Sequence, residues 1–318
     1  MTAGSTPNRR MASISATLLL LLAGCATAGN EYGAPAQGLP PIADPPVRSD
    51  VPTLLIAMPN SPNFVEVRKS LVWEVQKSFN IHTLVVGPET TAADLGSAIQ
   101  TVAPVCLVLM NNATINLYRQ YQTANPTAPM PPAVLLMASF VEEAQARLRR
   151  ATGIVYEVPG VTAFVNFRSV ISAPINRVGV IYRPAFRKFV EHQVALAAKE
   201  RVDLISVSVP NDVTAAGLRE ALHNLARNGK VDAVWMLNDN GLVRNAEFVD
   251  GAWRTELRDA RLPLIVGVAN LVEPSFPLGT LAVVPDHEAL GLQAANLLND
   301  NYISPKATTI SPHPEGRR

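Results

Sequence analysis

Short apolar runs alternate with longer amphipathic stretches from Thr53 onward. The apolar runs are continuous and rich in β-branched residues, which is typical of parallel strands that are buried on both faces of a sheet. Between the first two runs, Val65, Leu71, Val72 and Val75 recur at helical spacing. The pattern therefore predicts an α/β fold in which helices cover parallel strands.

The apolar runs fall into two successive sets, with no Pro/Gly-rich linker between them. The first set predicts strands at 53–58, 83–86, 105–110, 133–137, 152–155 and 161–165, and the second at 178–182, 204–209, 233–237, 264–268 and 281–284. Helices are predicted at 64–79, 185–200, 213–228, in a stretch that ends at 260, and at 287–299. Two similar sets predict two doubly wound parallel-sheet lobes, with the ligand beyond the carboxyl ends of the strands, in an interlobe cleft.

The N-terminal residues have the pattern of a signal peptide. Arg9 and Arg10 precede an apolar run of about a dozen residues, which is too short to span a bilayer. The run ends in a Leu-Ala-Gly-Cys sequence at Cys25, which looks like a lipobox, where the cysteine is acylated. An ordinary secretory signal that contains a cysteine is the alternative. Acyl chains would hold the protein at a membrane, since each buried CH₂ contributes about 0.8 kcal/mol.

Ala26 follows Cys25, in place of the Asp that commonly retains lipoproteins in the inner membrane of enteric-type bacteria. We therefore expect a periplasm-facing, lipid-anchored protein of the cell envelope, at the outer rather than the inner membrane. The predicted organisation is a signal peptide at 1–24, a Pro-rich tether at 25–52, a first lobe at 53–170 with 287–300, a second lobe at 171–286, and a tail at 301–318.

Composition and spacing argue against several other functions. The net charge is +1 with no basic block, which excludes an ordinary nucleic-acid partner. We also expect a monomer. The five histidines are scattered, no phosphate-binding glycine loop or nucleophile elbow occurs, and neither a metal nor a cofactor is expected. Cys106 lies in an apolar run and is interpreted as a buried small hydrophobe. Asp286 is interpreted as the cap of the last helix rather than a catalytic acid, so we expect no enzyme.

Four segments carry a resemblance to a known family. They are Arg-Val-Gly-Val-Ile-Tyr-Arg-Pro at 177–184, Val-Asp-Ala-Val-Trp-Met-Leu-Asn-Asp-Asn at 231–240, Leu-Pro-Leu-Ile-Val-Gly at 262–267 and Pro-Asp-His-Glu-Ala-Leu-Gly at 285–291. In this order and spacing they resemble the tryptophan/tyrosine type of ABC-transporter substrate-binding proteins, over residues 133–302. The resemblance implies a type I periplasmic-binding-protein fold that closes on a small molecule by hinge motion and serves an ABC permease.

Polar and aromatic residues that follow the predicted strands are the candidate ligand-binding residues. Any one of the polar residues at 238–240 is alternatively a turn that caps a helix, and any one of the aromatics is alternatively ordinary core. The chain departs from the family around 138–142, 153–157 and 237–240, which adds aromatic and apolar surface. The candidates are Asn60, Phe64, Ser139, Phe140, Tyr156, Tyr182, Asn238, Asp239, Asn240 and Asn270.

Two types of ligand fit these candidates. Asp239 would pair with the ammonium of an amino acid, while Phe140, Tyr156 and Tyr182 would enclose its side chain. For an apolar ligand such as a lipid or sterol, the aromatic residues would dominate. The sequence therefore predicts a lipid-anchored substrate-binding protein for an ABC-type transporter. The alternative is a tethered sensor or accessory envelope protein that kept the fold without transport.

Overall fold

The computed structural model describes residues 40–300 other than 172, 173 and 275, and only the backbone of Asn240. The predicted signal peptide, Cys25, the first part of the tether and the tail lie outside these residues. Within the described chain, two compact units occur: residues 40–156 with 286–300, called the first lobe, and residues 157–285, called the second lobe.

The strands and helices alternate along the chain. The strands are β1 Thr53–Met58, β2 Asn80–Val85, β3 Cys106–Met110, β4 Ala133–Leu136, β5 Ala151–Gly153, β6 Arg177–Tyr182, β7 Asp203–Ser208, β8 Ala233–Trp235, β9 Leu264–Val266 and β10 Leu281–Ala282. The α-helices are α1 Pro62–Val75, α2 Ala92–Val102, α3 Asn112–Ala124, α4 Val141–Gln145, α5 Gly160–Val170, α6 Arg187–Lys199, α7 Ala215–Arg227, α8 Thr255–Ala260 and α9 His287–Leu298. Short 3₁₀ turns lie at Pro184–Phe186, Asn240–Leu242 and Ala269–Val272, and a π-helical segment lies at Glu247–Arg254.

Each lobe is built on one parallel five-stranded sheet. The strand order is β2-β1-β3-β4-β5 in the first lobe and β10-β9-β8-β6-β7 in the second, and every strand pair is parallel. Residues 54–58 of β1 and all of β3 are buried, as expected for strands covered by helices on both faces. The predicted α/β fold with two parallel sheets is therefore confirmed. Cys106 is fully buried, which also confirms the prediction made for it.

The strand predicted at 161–165 is wrong, because this stretch is helix α5. Gly160, Ala163, Phe164 and Phe167 are its buried residues and recur at helical spacing, whereas Val165 is exposed. The chain passes from the first lobe to the second between residues 156 and 157, so α5 lies in the second lobe and not in the first, where 53–170 had been predicted. The amide of Gly160 donates a hydrogen bond of 2.8 Å to Gln193 Oε1 of α6.

The last helix, α9, returns to the first lobe and crosses α1 at close range. Asp286 caps it and accepts a hydrogen bond of 2.9 Å from the Ala289 amide, which confirms the predicted cap. A Cβ atom at Gly291 would lie 2.5 Å from the carbonyl oxygen of Val67 in α1. Only glycine allows the two helix backbones to approach this closely.

Residues 42–51, called the strap, lie against edge strand β2. The Asp44 carboxylate accepts hydrogen bonds from the Thr83 amide at 2.9 Å and from Arg68 Nη2 at 2.7 Å. The Asn80 side chain accepts from the Arg48 amide at 2.7 Å and donates to the Arg48 carbonyl at 2.6 Å. Ile42 packs on the core of the first lobe. This part of the predicted tether is therefore bound to the lobe and is not a free spacer.

Glu256 in α8 is a buried carboxylate of the second lobe that has two side-chain partners on α7. Arg219 Nε donates to it at 2.8 Å, and His223 Nδ1 lies 3.1 Å from its other oxygen. Burial raises the pKa of the Glu256 carboxyl, but hydrogen bonds with Arg219 and His223 outweigh this effect and leave the pKa below its ordinary value. The pairing ties α7 to α8 on one side of the sheet.

Candidate ligand-binding site

The loops that follow the strands carry most of the predicted site residues. Because the strands of each sheet are parallel, these loops lie together at the carboxyl ends of the strands, which are called the first-lobe edge and the second-lobe edge. The two edges are described separately. The first-lobe edge carries Asn60 after β1, Ser139 and Phe140 after β4, and Tyr156 after β5; the second-lobe edge carries Tyr182 at the end of β6, Asn238, Asp239 and Asn240 after β8, and Asn270 after β9.

Asn60 and Asn112 occupy equivalent positions beyond the neighbouring strands β1 and β3. Ala57 pairs with Leu109 in the sheet, and each asparagine follows its strand partner by three positions. Both Oδ1 atoms are buried, and within residues 40–300 as described neither has a hydrogen-bond partner. A buried polar atom without a partner costs about 1–3 kcal/mol. The first-lobe edge therefore contains two buried acceptors whose hydrogen bonds the described chain does not supply.

The same edge contains strained backbone. Asn111 has φ 78° and ψ 166°, a region that is essentially restricted to glycine, and its side chain accepts a hydrogen bond of 2.9 Å from the Thr114 amide at the start of α3. Met137 and Phe140, after β4, have φ values of 52° and 55°. Such conformations cost of the order of 1–3 kcal/mol each and occur preferentially at binding sites.

The aromatic candidates of the first lobe differ in their surroundings. Phe64 is 8% exposed and belongs to the core, whereas Phe140 is half-buried at the edge. The Tyr156 hydroxyl lies 3.2 Å from His287 Nε2, and His287 Nδ1 lies 3.1 Å from Glu66 Oε2. Tyr156 is thus held against the start of α9, and Phe140 lies in the loop between β4 and α4.

Asp239 of the second lobe is engaged with Arg183, which follows the neighbouring strand β6. Arg183 Nε donates to Asp239 Oδ2 at 2.8 Å and Nη2 donates to Oδ1, while the Gly241 amide donates to Oδ1 at 3.0 Å. Asp239 is 2% exposed. The hydrogen bond with the Asp239 carboxylate raises the pKa of the Arg183 guanidinium above its ordinary value. Both carboxylate oxygens therefore have internal donors.

Glycines set the shape of the loop after β8. A Cβ atom at Gly241 would lie 2.1 Å from Arg183 Cζ, so the guanidinium packs directly on the glycine backbone. Asn238 is exposed and lies over the loop after β9, since a Cβ atom at Gly267 would be 2.7 Å from Asn238 Oδ1. The Trp253 indole donates a hydrogen bond of 2.8 Å to the Leu242 carbonyl and fixes the same turn from the core.

The remaining predicted residues of the second lobe are more peripheral to this pair. Tyr182 is 7% exposed and lies in the core beneath the sheet. Asn270 is half-buried in the Ala269–Val272 turn. The side chain of Asn240 lies outside the described part of the structure, although its backbone begins the Asn240–Leu242 turn.

Sequence reasoning missed Asn111, Asn112, Thr114 and Arg183. The signal for the first three is the same one that marked residues 238–240, namely polar residues directly after a buried strand. Thr114 is fully buried, and its Oγ1 has no hydrogen-bond partner in the described chain. Arg183 lies between Tyr182 and Pro184, directly after strand β6.

Among the described residues, His, Cys, Asp and Glu side chains form no group of three or more that could hold a metal ion. In residues 40–300, as far as they are described, no helix is long and apolar enough to cross a membrane.

Comparison with known proteins gives matches to solved structures. The ligand-free, open structure of a substrate-binding protein with adhesive properties from Clostridium difficile has a TM-score of 0.59 at 15% identity, covering 84% of this chain and 89% of that one. An extracellular ligand-binding receptor from Verminephrobacter eiseniae has a TM-score of 0.50 at 12% identity, covering 81% and 86%. No family model matches the chain, and no curated protein matches it either. The similarity shows the α/β fold of type I periplasmic-binding proteins.

Proposed function

We propose that this chain is an extracytoplasmic substrate-binding protein that captures a small molecule and presents it to an ABC-type transporter. The observation that carries the proposal is the pair of buried, unpartnered oxygens of Asn60 and Asn112 at the ends of adjacent strands. Hydrogen-bond donors on a bound molecule would offset their desolvation, and the strained backbone at Asn111 supports a site at the same place. The role is binding rather than catalysis.

The fold and the sequence motifs support the same proposal. The Clostridium difficile structure that matches this chain is described as a substrate-binding protein, and the four sequence segments resemble substrate-binding proteins of ABC transporters. Phe140, at the first-lobe edge, and Asn238, at the second-lobe edge, are proposed ligand contacts, each within its own lobe. Phe64 and Tyr182 lie in the cores and would support the site from behind.

Ligand binding is expected to stabilise the purified full chain in a thermal-shift screen of amino acids, aromatic acids, sterols and lipids. A compound present at a hundred times its Kd adds about 2.7 kcal/mol to the free energy of unfolding. The double variant Asn60→Ala, Asn112→Ala should lose this stabilisation. Asn116→Ala, a change on the same helix α3 at a side chain that bonds to Arg119, should keep it.

Two results would contradict the proposed function. One is a screen in which no compound stabilises the chain, which would favour the tethered accessory or sensor protein. The other is an undiminished stabilisation in the Asn60→Ala, Asn112→Ala variant, which would place the ligand elsewhere.

We further propose that Cys25 carries a lipid anchor and that the protein faces the periplasm from the outer membrane. The support is the Leu-Ala-Gly-Cys sequence after an apolar run, with Ala26 next to the cysteine. In fractionated cells the full-length protein should be found in the outer-membrane fraction, and Cys25→Ala should release it from membranes. Retention of the Cys25→Ala protein in a membrane fraction would rule out this anchor.

A further inference from the structure

We propose that Arg183 is the permanent partner of Asp239, so that the second-lobe edge selects ligands with a hydrogen-bond acceptor, such as a carboxylate or carbonyl group, and does not require a cationic amine. This inference rests on the proposed function and specifies its class of substrate. It replaces the ammonium-binding role that the sequence predicted for Asp239.

Arg183 and Asp239 form a bidentate ion pair. Arg183 donates from two nitrogens to the two oxygens of Asp239, and the Gly241 amide adds a third hydrogen bond. The Asp239 side chain is 1% exposed and that of Arg183 is 26% exposed. A ligand ammonium would therefore have to displace a bidentate guanidinium from a buried carboxylate. That displacement would leave the arginine without a partner.

Gly241 packs against the Arg183 guanidinium. Its Cα lies so close to the guanidinium that any Cβ atom would overlap Arg183 Cζ at 2.1 Å. The turn that follows Asp239 is therefore shaped to receive the arginine side chain, with no room for a larger residue. This fit indicates that Arg183 is a built-in part of the loop and not a surface side chain that happens to touch it.

The ion pair leaves one edge of the Arg183 guanidinium as a donor for a ligand. The charges of Arg183 and Asp239 cancel, so the pair itself carries no net negative charge to attract a cation. Nε and Nη2 of Arg183 are used in the pair, which leaves the Nη1 edge of a partly exposed guanidinium as a donor. A donor beside a carboxylate that is already paired favours an acceptor group on the ligand.

The test uses two probes that differ only in the amine, L-phenylalanine and 3-phenylpropanoate. Titration calorimetry on the purified full chain should give a Kd for 3-phenylpropanoate at least tenfold lower than that for L-phenylalanine. Arg183→Met frees the Asp239 carboxylate and should shift this preference at least tenfold toward L-phenylalanine. Gly241→Ala, which displaces the guanidinium without removing it, should shift the preference in the same direction. Arg187→Met, at an exposed position on α6, should leave the preference unchanged.

Three results would overturn the inference. The first is tighter binding of L-phenylalanine than of 3-phenylpropanoate by the unaltered chain. The second is a preference that neither Arg183→Met nor Gly241→Ala shifts while both variants keep the thermal stability of a folded protein. The third is no binding of either probe. The first two leave the proposed function standing, as does the third if another compound of the thermal-shift screen binds. Failure of the whole screen would instead remove the proposed function itself.

Discussion

Gly291→Val is expected to lower the free energy of unfolding of the first lobe by about 3 kcal/mol, the upper part of the range for overpacking a well-packed contact. A Cβ atom at this position would lie 2.5 Å from the Val67 carbonyl oxygen and 2.9 Å from the Leu71 amide nitrogen. Both are backbone atoms of α1, which cannot turn aside as a side chain can. The two helices would have to separate, and the hydrogen bond of 2.8 Å from Ser70 Oγ to the Glu288 carbonyl would be lost.

Hydrogen exchange measured by mass spectrometry would assign this effect to the correct lobe. Peptides from α1 and α9 should exchange faster in Gly291→Val, whereas peptides from the second-lobe strands should not change. Leu292→Val is the matched control, because Leu292 is the next residue of α9 and is 43% exposed. Equal protection of α1 in the two variants would show that the helices are not in close contact at Gly291.

Trp253→Ala is expected to cost the second lobe about 3–5 kcal/mol, the usual range for removing a buried large aromatic side chain. Trp253 is fully buried in the core of this lobe, and its indole donates to the Leu242 carbonyl at 2.8 Å. The substitution leaves both a cavity and a carbonyl without its donor. Since Leu242 ends the turn that contains Gly241, the loop that holds Arg183 should loosen as well.

Denaturant unfolding of Trp253→Ala, Trp253→Phe and Trp73→Ala separates the contributions. Trp253→Phe keeps most of the packing and removes the hydrogen bond, so its cost should be smaller, about 1–3 kcal/mol. Trp73 is 73% exposed on α1, and its replacement should change the free energy of unfolding by no more than about 0.5 kcal/mol. A Trp253→Ala variant as stable as Trp73→Ala would contradict the core position of this side chain.

The strands could be predicted because burial on both faces leaves a local signal. The run predicted at 105–110 is β3 at Cys106–Met110, and the run predicted at 178–182 lies within β6. Helix α5 could not be predicted in the same way, because β-branched Val161 and Val165 are typical of strands. Ala163, Phe164 and Phe167 recur at helical spacing and pack in the core of the second lobe, and this packing favours the helix. The short apolar run alone does not reveal it.

The sequence could single out candidate site residues but not their pairing. Asn60 and Asp239 were singled out because polar residues directly after a buried strand are costly without a partner. The partner of Asp239 is 56 positions away in sequence, and only the adjacency of β6 and β8 brings the two side chains together. The same limitation hid the equivalence of Asn60 and Asn112, which depends on the register between β1 and β3.

The strap covers part of the edge strand β2 of the first lobe. Strand β2 is at the edge of its sheet, and an exposed edge can pair with another chain and start aggregation. Asp44 takes up the Thr83 amide of this strand and adds a negative charge beside it. A chain shortened to begin at Thr53 would expose that amide and uncover the apolar surface beneath Ile42. Residues 42–51 thus occupy part of the sheet edge to which another strand could be added.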